Sequence, residues 1–331
     1  PWLDWFKVEG WPLSAYDGSR TANYRGWWNN RALPEFNHDH PDVREYIMRI
    51  AEYWLEQGID GWRLDVPFEV KTPGFWQEFR QRVKAINPEA YIVGEIWRDA
   101  RQWLDGEQFD GVMNYIFTGA TLAFAGQGHI QKDLVDAPAY DAYPAIDAAE
   151  YGRQIQELLE LYPWDIQLAQ LNLLSSHDTA RVRSILGHDR ASIKLAVLLL
   201  LTFPGAPSIY YGDEVGLPGR LDPDCRWSFP TRSRWDLDLL NYHRDLIALR
   251  HRYAALQTGD YRTVFTDGLV YGFERKLGQM AVRVYANGGS DPTTVPLAPD
   301  QWDIRFGNGH LHQGLQLPPR EGCVVVAQDK T

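Results

Sequence analysis

Short apolar segments alternate with longer segments of helical periodicity along most of the chain, and this alternation limits the folds open to it. Near-continuous apolar strands separated by helices are typical of a parallel sheet covered on both faces. The pattern predicts about five β/α units. The predicted strands are residues 58–66, 91–97, 111–117, 171–178 and 207–216, and the predicted helices are residues 38–58, 75–87, 148–162, 191–203 and 238–256.

The chain is expected to divide into three regions. Residues 1–36 are rich in Trp, Gly, Asn and Pro without a clear period, which indicates a long loop or a small subdomain. Residues 37–254 carry the β/α pattern, whose first helix is expected to have Asp39 as N-cap and Gly58 as C-cap. Short strands separated by Gly, Asn and Pro turns indicate an antiparallel β domain over residues 255–331. Its predicted strands are residues 261–267, 269–276, 279–286, 293–297 and 323–328.

Composition and charge exclude several classes of function. Among 331 residues, 44 acidic side chains outnumber 33 basic ones, the net charge is −11, and no block of Lys or Arg occurs. Binding to nucleic acid or to an anionic membrane is therefore not expected. The apolar run at residues 194–203 is too short to span a bilayer. Cys225 and Cys323 lack metal-ligand spacing and exclude a disulfide scaffold, so a reducing, cytoplasmic location is expected.

Three carboxylates each follow a predicted strand. Asp65 follows GIDGWRL, Glu95 follows AYIVG, and Asp178 follows LNLLSSH. Side chains just past the strands of a parallel β/α barrel build its active site. Cleavage of a glycosidic bond needs an acid/base and a nucleophile, so these acids suggest glycosidase chemistry. Taken singly, each acid also fits a structural role at a strand end or, for Asp178, at a helix N-cap; their combination favours function.

The residues beside two of these acids suit different chemical tasks. Arg63 and Asp65 share one face of a strand, and a guanidinium keeps a neighbouring carboxylate ionised, as a nucleophile requires. A structural Arg–Asp pair is the alternative. Glu95 lies in an otherwise apolar run, and apolar surroundings favour a protonated carboxyl, which suits a general acid.

Several segments resemble those of a known family. GWRLDVPFE, VGEIW and LLSSHD look like the second, third and fourth signature regions of the α-amylase superfamily of retaining glycosidases (glycoside hydrolase family 13). LPEFN at residues 33–37 resembles a short motif near the end of that superfamily's inserted B domain. GEIWRDARQWLDGEQFDGVMNY, PGAPSIYYGDEVGL and LDPDCR are similar to the cyclomaltodextrinase, neopullulanase and maltogenic amylase subgroup. The resemblance begins at about residue 20 and covers the rest of the sequence.

The resemblance implies a role for each matching residue. Asp65 matches the nucleophile that forms a covalent glycosyl intermediate, and Arg63 matches the residue that orients it. Glu95 matches the acid/base, Asp178 the acid that binds the sugar 2- and 3-hydroxyls, and His177 a donor to the same sugar. Retention predicts that the carboxyl groups of Asp65 and Glu95 lie about 5–5.5 Å apart.

Four further matches concern the neighbouring sugars. Asp222 and Arg226, within LDPDCR, match residues that bind the next glucose on the non-reducing side. Trp97 and Phe68 are expected to contact the leaving-group side of the substrate, with core packing as the alternative for both.

The fold implied by the resemblance is the C-terminal part of a (β/α)8 TIM barrel, about strands 4–8, followed by an antiparallel β-sandwich domain. Residues 1–36 then correspond to the end of the inserted B domain. The superfamily's first signature, an Asp-x-Val-x-Asn-His stretch, is absent, as are the first three barrel strands and the N-terminal domain usual in the subgroup. Because five units cannot close an eight-stranded barrel, we expect the chain to need the N-terminal part of the same enzyme and not to fold stably alone.

The resemblance implies a retaining hydrolase of α-1,4 and some α-1,6 glucosidic bonds in cyclodextrins, pullulan or maltooligosaccharides. An oligo-1,6-glucosidase, an α-amylase and a trehalose-forming enzyme are alternatives within the superfamily, and a non-catalytic barrel subunit is the alternative from another class. No metal or organic cofactor is implied, although structural calcium, with unidentified ligands, occurs in some relatives. Several subgroup members dimerise through their N-terminal domain, so a homodimer is a further expectation.

Overall fold

The computed structural model describes residues 2–136 and 140–328, and the chain divides into two compact units. The first unit is Pro1–Glu95 with Gln102–Asp110, and the second is Ile96–Arg101 with Gly111–Thr331. Three parts of the predicted regions lie outside the described residues: the first residue of 1–36, residues 137–139 within 37–254, and residues 329–331 at the end of 255–331.

The first unit contains a hairpin, two helices and a pair of strands. These elements are β1 (Gly26–Trp27), β2 (Asn30–Pro34), α1 (Pro41–Glu56), β3 (Gly61–Leu64), α2 (Phe75–Ile86) and β4 (Tyr91–Gly94). Strands β1 and β2 are antiparallel, and α1 packs against α2. Strands β3 and β4 are parallel, in register from Gly61 opposite Tyr91 to Leu64 opposite Gly94. The prediction of parallel pairing is confirmed for these two strands.

The N-cap predicted for the first helix is wrong by one residue. His40 caps α1, because its Nδ1 accepts a hydrogen bond from the Asp42 backbone N–H at 3.2 Å. Pro41 occupies the first helical position, where its fixed φ suits the helix and its missing N–H costs nothing. Asp39 instead accepts a hydrogen bond from Thr72 Oγ1 at 2.7 Å. The C-cap is Gln57, so the prediction of Gly58 as C-cap is also wrong by one residue. Gly58 comes next, with a φ of +94°, the left-handed conformation expected just past a helix end.

The second unit begins with short parallel strands and buried helices. Strand β6 pairs in parallel with β5 on one side and with β7 on the other, as predicted. The elements are β5 (Gly111–Asn114), α3 (Tyr115–Gly126), α4 (Ala148–Glu160), α5 (Trp164–Ala169), β6 (Leu171–Asn172), α6 (Val182–Ile185), α7 (Arg190–Thr202), β7 (Ala206–Pro207), α8 (Leu237–Arg252) and α9 (Ala254–Thr258). Across residues 2–136 and 140–328, no helix is long and apolar enough to cross a membrane.

Three strands predicted for this unit are shorter than expected. The strand predicted over 111–117 ends at Asn114, whose side chain accepts a hydrogen bond from the Phe117 N–H at 3.2 Å and caps α3. Because α3 is buried on nearly every side, its sequence lacks the apolar stripe that distinguishes a helix from a buried strand. Of the strand predicted over 171–178, only the two residues of β6 are strand, and of the strand predicted over 207–216 only Pro207 belongs to β7. Asp213–Val215 form a single 3-10 turn, and the remaining residues form loops.

The C-terminal part of the second unit is an antiparallel β structure in two sheets, as predicted. Its strands are β8 (Asp260–Asp267), β9 (Val270–Leu277), β10 (Met280–Asn287), β11 (Thr293–Val295), β12 (Trp302–Phe306), β13 (His310–Leu311), β14 (Leu315–Leu317) and β15 (Gly322–Ala327). The strand orders are β12-β15-β10-β9-β8 and β11-β14-β13. One core joins the two sheets, with Tyr285 and Val325 from the first and Leu315 from the second. Strands β12, β13 and β14 were not predicted; two of them are only two or three residues long.

Candidate active site

In the first unit, two of the predicted catalytic acids follow neighbouring strands at the same edge. Asp65 comes directly after β3, and Glu95 directly after β4. Leu64 lies opposite Gly94, so the residues that follow them, Asp65 and Glu95, leave the two strands side by side. The Glu95 N–H donates a hydrogen bond to the Leu64 carbonyl at 2.9 Å. A Cβ at Gly94 would lie 3.0 Å from the Phe109 ring, so glycine lets the strand pass close to this aromatic residue before Glu95.

One guanidinium contacts both acids. Arg63 Nη1 lies 2.6 Å from Asp65 Oδ1, and Arg63 Nη2 lies 2.9 Å from Glu95 Oε2. The backbone N–H of Val66 also donates to Glu95 Oε2 at 3.3 Å. The Asp65 side chain is 70% exposed and the Glu95 side chain 6% exposed. The arrangement therefore offers one carboxylate to solvent and keeps the other in a largely dry environment.

The sequence predicts that Arg63 and Asp65 lie on the same face of a strand, and their contact agrees with this. The contact between Arg63 and Glu95 was not predicted. A pair across two strands depends on their register, which the residues of one strand do not reveal.

Phe68 lies in a single 3-10 turn, Pro67–Glu69, and is half-buried with its ring centroid 6.4 Å from that of Trp103.

In the second unit, His177 and Asp178 lie on the loop that follows β6. Asp178 Oδ2 is 3.0 Å from His177 Nε2, and the two side chains are 30% and 41% exposed. The backbone N–H of Asp178 donates to Ser176 Oγ at 3.1 Å, which fixes the backbone orientation of the acid.

Arg226 brings the remaining predicted sugar ligands together. Its Nη2 lies 3.2 Å from Asp178 Oδ1, and its Nε lies 2.7 Å from Asp222 Oδ1. Nε also donates to the His177 carbonyl at 3.0 Å. Partial burial opposes the charge of Arg226, but Asp222 and Asp178 raise its pKa above the ordinary guanidinium value. His177, Asp178, Asp222 and Arg226 thus form one charged cluster.

Trp97 is linked to this cluster by two residues that were not predicted. Its ring stacks on Tyr115, with centroids 3.8 Å apart and planes 11° from parallel. The Tyr115 hydroxyl lies 2.8 Å from Ser176 Oγ, the same oxygen that accepts from the Asp178 N–H. The stacking shows that one face of Trp97 is covered by Tyr115. Tyr115 falls inside the strand predicted over 111–117. A helix predicted to begin at Tyr115 would have identified this residue as a candidate beside the site.

The match to known proteins covers most of the chain. Residues 2–232 match the family model described as alpha amylase, catalytic domain. The chain belongs to the alpha-amylase family. In the part that the structure describes, no group of three or more His, Cys, Asp or Glu side chains is arranged to hold a metal ion.

Individual proteins are similar over 78% to 98% of the chain. Neopullulanase 2 from Thermoactinomyces vulgaris is 40% identical across 97% of this chain and 54% of its own length. A cyclomaltodextrinase from a Bacillus species is 43% identical across 78% of this chain and 43% of its own length. The chain thus spans about half the length of these curated relatives. The crystal structure of a debranching enzyme from Nostoc punctiforme is 57% identical, with a TM-score of 0.94 over 98% of this chain and 70% of that one.

Proposed function

We propose that the protein carrying this alpha-amylase domain is an α-glucan hydrolase that works with retention of configuration. Asp65 attacks the anomeric carbon, and Glu95 protonates the oxygen of the departing sugar as the glycosidic bond breaks. In the second half of the reaction, Glu95 takes a proton from water, the water oxygen bonds to the anomeric carbon, and Asp65 leaves as a carboxylate.

The observation that carries this proposal is the guanidinium shared by the two acids. The proposed mechanism requires a charged Asp65 and a neutral Glu95 before the first step, and an esterified Asp65 with a charged Glu95 in the glycosyl intermediate. The negative charge therefore passes from one acid to the other and back. Because Arg63 contacts both at hydrogen-bonding distance, it keeps one anionic partner in either state.

The cluster in the second unit supports the proposed binding of sugars. Asp178, held by His177 and Arg226, presents carboxylate oxygens suited to accept from the 2- and 3-hydroxyls of a glucose. We assign Asp222 and Arg226 to the next glucose on the non-reducing side. Trp97 and Phe68 are the proposed aromatic contacts on the leaving-group side, although each also packs against another aromatic ring.

Cyclodextrins, pullulan and maltooligosaccharides are the proposed substrates, with cleavage of α-1,4 and some α-1,6 bonds. The names of the neopullulanase and cyclomaltodextrinase relatives support this range. A second candidate is preferential cleavage at α-1,6 branch points, which is favoured by the 57% identity to a debranching enzyme.

We further propose that the parallel strands of the two units correspond to about strands 4–8 of a (β/α)8 barrel. Residues 1–36 would then end an inserted domain, 37–254 would form the barrel part, and 255–331 would form the β-sandwich. The greater length of the relatives supports a contribution from an N-terminal part of the same enzyme. The proposed reaction uses side chains alone and needs no cofactor.

A substrate panel in the complete protein tests the function. We expect hydrolysis of cyclodextrin, pullulan, starch or a branched dextrin, and proton NMR of fresh product should show the α-anomer first. Asp65→Asn should lower kcat by more than about a thousandfold. The matched control is Asp110→Asn, because Asp110 also pairs with an arginine, Arg80, in the first unit. A β-anomer as first product, or unchanged turnover in Asp65→Asn, would contradict the proposal.

A further inference from the structure

A buried ion pair in the second unit has no part in the proposed reaction. Arg181 and Asp213 have side chains that are 0% and 7% exposed, and Arg181 Nη1 lies 3.0 Å from Asp213 Oδ1. Asp213 belongs to the segment 207–216, which carries the subgroup resemblance yet none of the proposed catalytic residues. Burying two charges is costly even when they are paired, so the pair by itself is weak evidence for a stabilising role, and its other contacts need to be considered.

Arg181 joins two loops through its guanidinium. Its Nε donates to the Cys225 carbonyl at 2.8 Å, and its Nη1 donates to the Tyr211 carbonyl at 2.6 Å. The guanidinium carbon also lies 4.2 Å from the ring centroid of Tyr210 and 4.7 Å from that of Tyr211. Among the described residues, Nη2 of this arginine has no hydrogen-bond partner, and the two aromatic faces supply favourable contacts for the cation instead.

Asp213 joins a third segment to the other two. Its Oδ2 accepts a hydrogen bond from the hydroxyl of Ser175, which is 3% exposed and precedes His177 by two residues. The turn that places Asp213 requires glycine at position 212, where φ is +89° and a Cβ would lie 2.9 Å from Leu217 Cδ2. Asp213 is thereby held between the guanidinium of Arg181 and the loop that carries the predicted sugar ligands.

Further contacts join the two loops that carry the charged cluster. Cys225, whose carbonyl Arg181 holds, donates its thiol to the His177 carbonyl at 3.2 Å, and the neighbouring Arg226 donates to the same oxygen at 3.0 Å. The loop that bears His177 is thus held through Ser175 and Asp213 at one point and through Cys225 and Arg226 at another.

We propose that Asp213 and Arg181 are positioning residues, which hold the His177–Asp178 loop and the Asp222–Arg226 loop in the arrangement that binds glucan. The expected effect on substrate binding depends on the proposed function. The joining of the two loops follows from the observed contacts alone.

The test is Ser175→Ala in the complete protein, with Ser192→Ala as a matched control. Ser192 is also fully buried and also bonds an aspartate that pairs with an arginine, here Asp189 and Arg320. It lies on α7, which carries none of the predicted site residues. Each variant loses a serine–aspartate hydrogen bond, which is buried for Ser175 and partly buried for Ser192, so both are expected to lower the melting temperature.

Two measurements distinguish positioning from a general loss of stability. Hydrogen–deuterium exchange in peptides covering 173–179 and 220–227 should become about tenfold faster in Ser175→Ala and stay unchanged in Ser192→Ala. KM for the best glucan of the panel should rise about tenfold in Ser175→Ala alone, because misplaced ligands weaken binding, whereas a lower folded fraction reduces the maximal rate without changing KM. Asp213→Asn should show the same pattern as Ser175→Ala.

Equal exchange in the two serine variants would overturn the positioning role, whether or not the protein hydrolyses glucans. Faster exchange with an unchanged KM would overturn its consequence for substrate binding. A wild-type protein without activity on the panel would contradict the proposed function instead, and the exchange data would still decide whether the pair joins the loops.

Discussion

Replacing Arg63 with lysine tests whether one cation must contact both acids. A lysine ammonium is a single point charge and cannot reproduce the two separate contacts made by Nη1 and Nη2 of the guanidinium. Nη1 donates a hydrogen bond to Asp65, and Nη2 forms an ion pair with Glu95. A hydrogen bond to a charged group contributes about 1.5–3 kcal/mol; with this as the scale for either contact, loss of one should cost about 2 kcal/mol of transition-state stabilisation. At 1.36 kcal/mol per factor of ten, kcat should fall about thirtyfold in Arg63→Lys.

The assay is steady-state hydrolysis of a cyclodextrin and of a 4-nitrophenyl α-maltoside. The nitrophenolate leaving group needs little protonation, so a defect in the acid step should be smaller with the second substrate than with the first. Arg80→Lys is the control, because Arg80 pairs with Asp110 at 2.7 Å and is similarly buried. A kcat for Arg63→Lys within about threefold of wild type, at equal folded fraction, would refute the argument that both contacts are needed.

Two further predictions concern stability. Burial raises the pKa of Asp213 to about 7, against the opposing effects of Ser175 and Arg181 and with a small contribution from Glu214 in the same direction. The folded protein therefore binds a proton between about pH 4 and 7 that the unfolded chain releases, so the free energy of unfolding should fall as pH rises through this range. Urea denaturation at pH 5 and pH 8 should show this fall in wild type and a flatter profile in Asp213→Asn; equal profiles would contradict it. Leu315→Ala, at a fully buried position between the two sheets, should lower the free energy of unfolding by about 2–5 kcal/mol in the same assay, and a loss below about 1 kcal/mol would mean that the sheets do not share a tight core.

Local patterns in the sequence predicted most of the helices and the parallel and antiparallel character of the strands. Helix α1 was predictable because its apolar stripe and Gly58 are local signals. Helix α3 was not, because burial on nearly every side removes the stripe on which the prediction depends. Strands β12, β13 and β14 were missed. For β13 and β14, two or three residues are too few to show a period, and the equally short β11 was predicted only as part of the longer run 293–297.

The candidate site was predictable to a similar extent. Asp65, Glu95 and Asp178 could be predicted as candidates because each acid follows an apolar run, and the family resemblance then implied a role for each. Tyr115 and Ser176 escaped notice because their importance lies in a contact across 61 residues of sequence. Spacing along one strand cannot reveal such a contact.

The sequence by itself determined the family, the alternation of parallel strands with helices, and the residue types available for chemistry. Only the tertiary structure decided which of those residues meet. The register of β3 with β4 placed Arg63 between two acids, and the packing of three loops buried Arg181 against Asp213. The physical reason is that hydrogen bonds and ion pairs depend on distances of about 3 Å between groups far apart in sequence. Those distances are set by how whole elements pack.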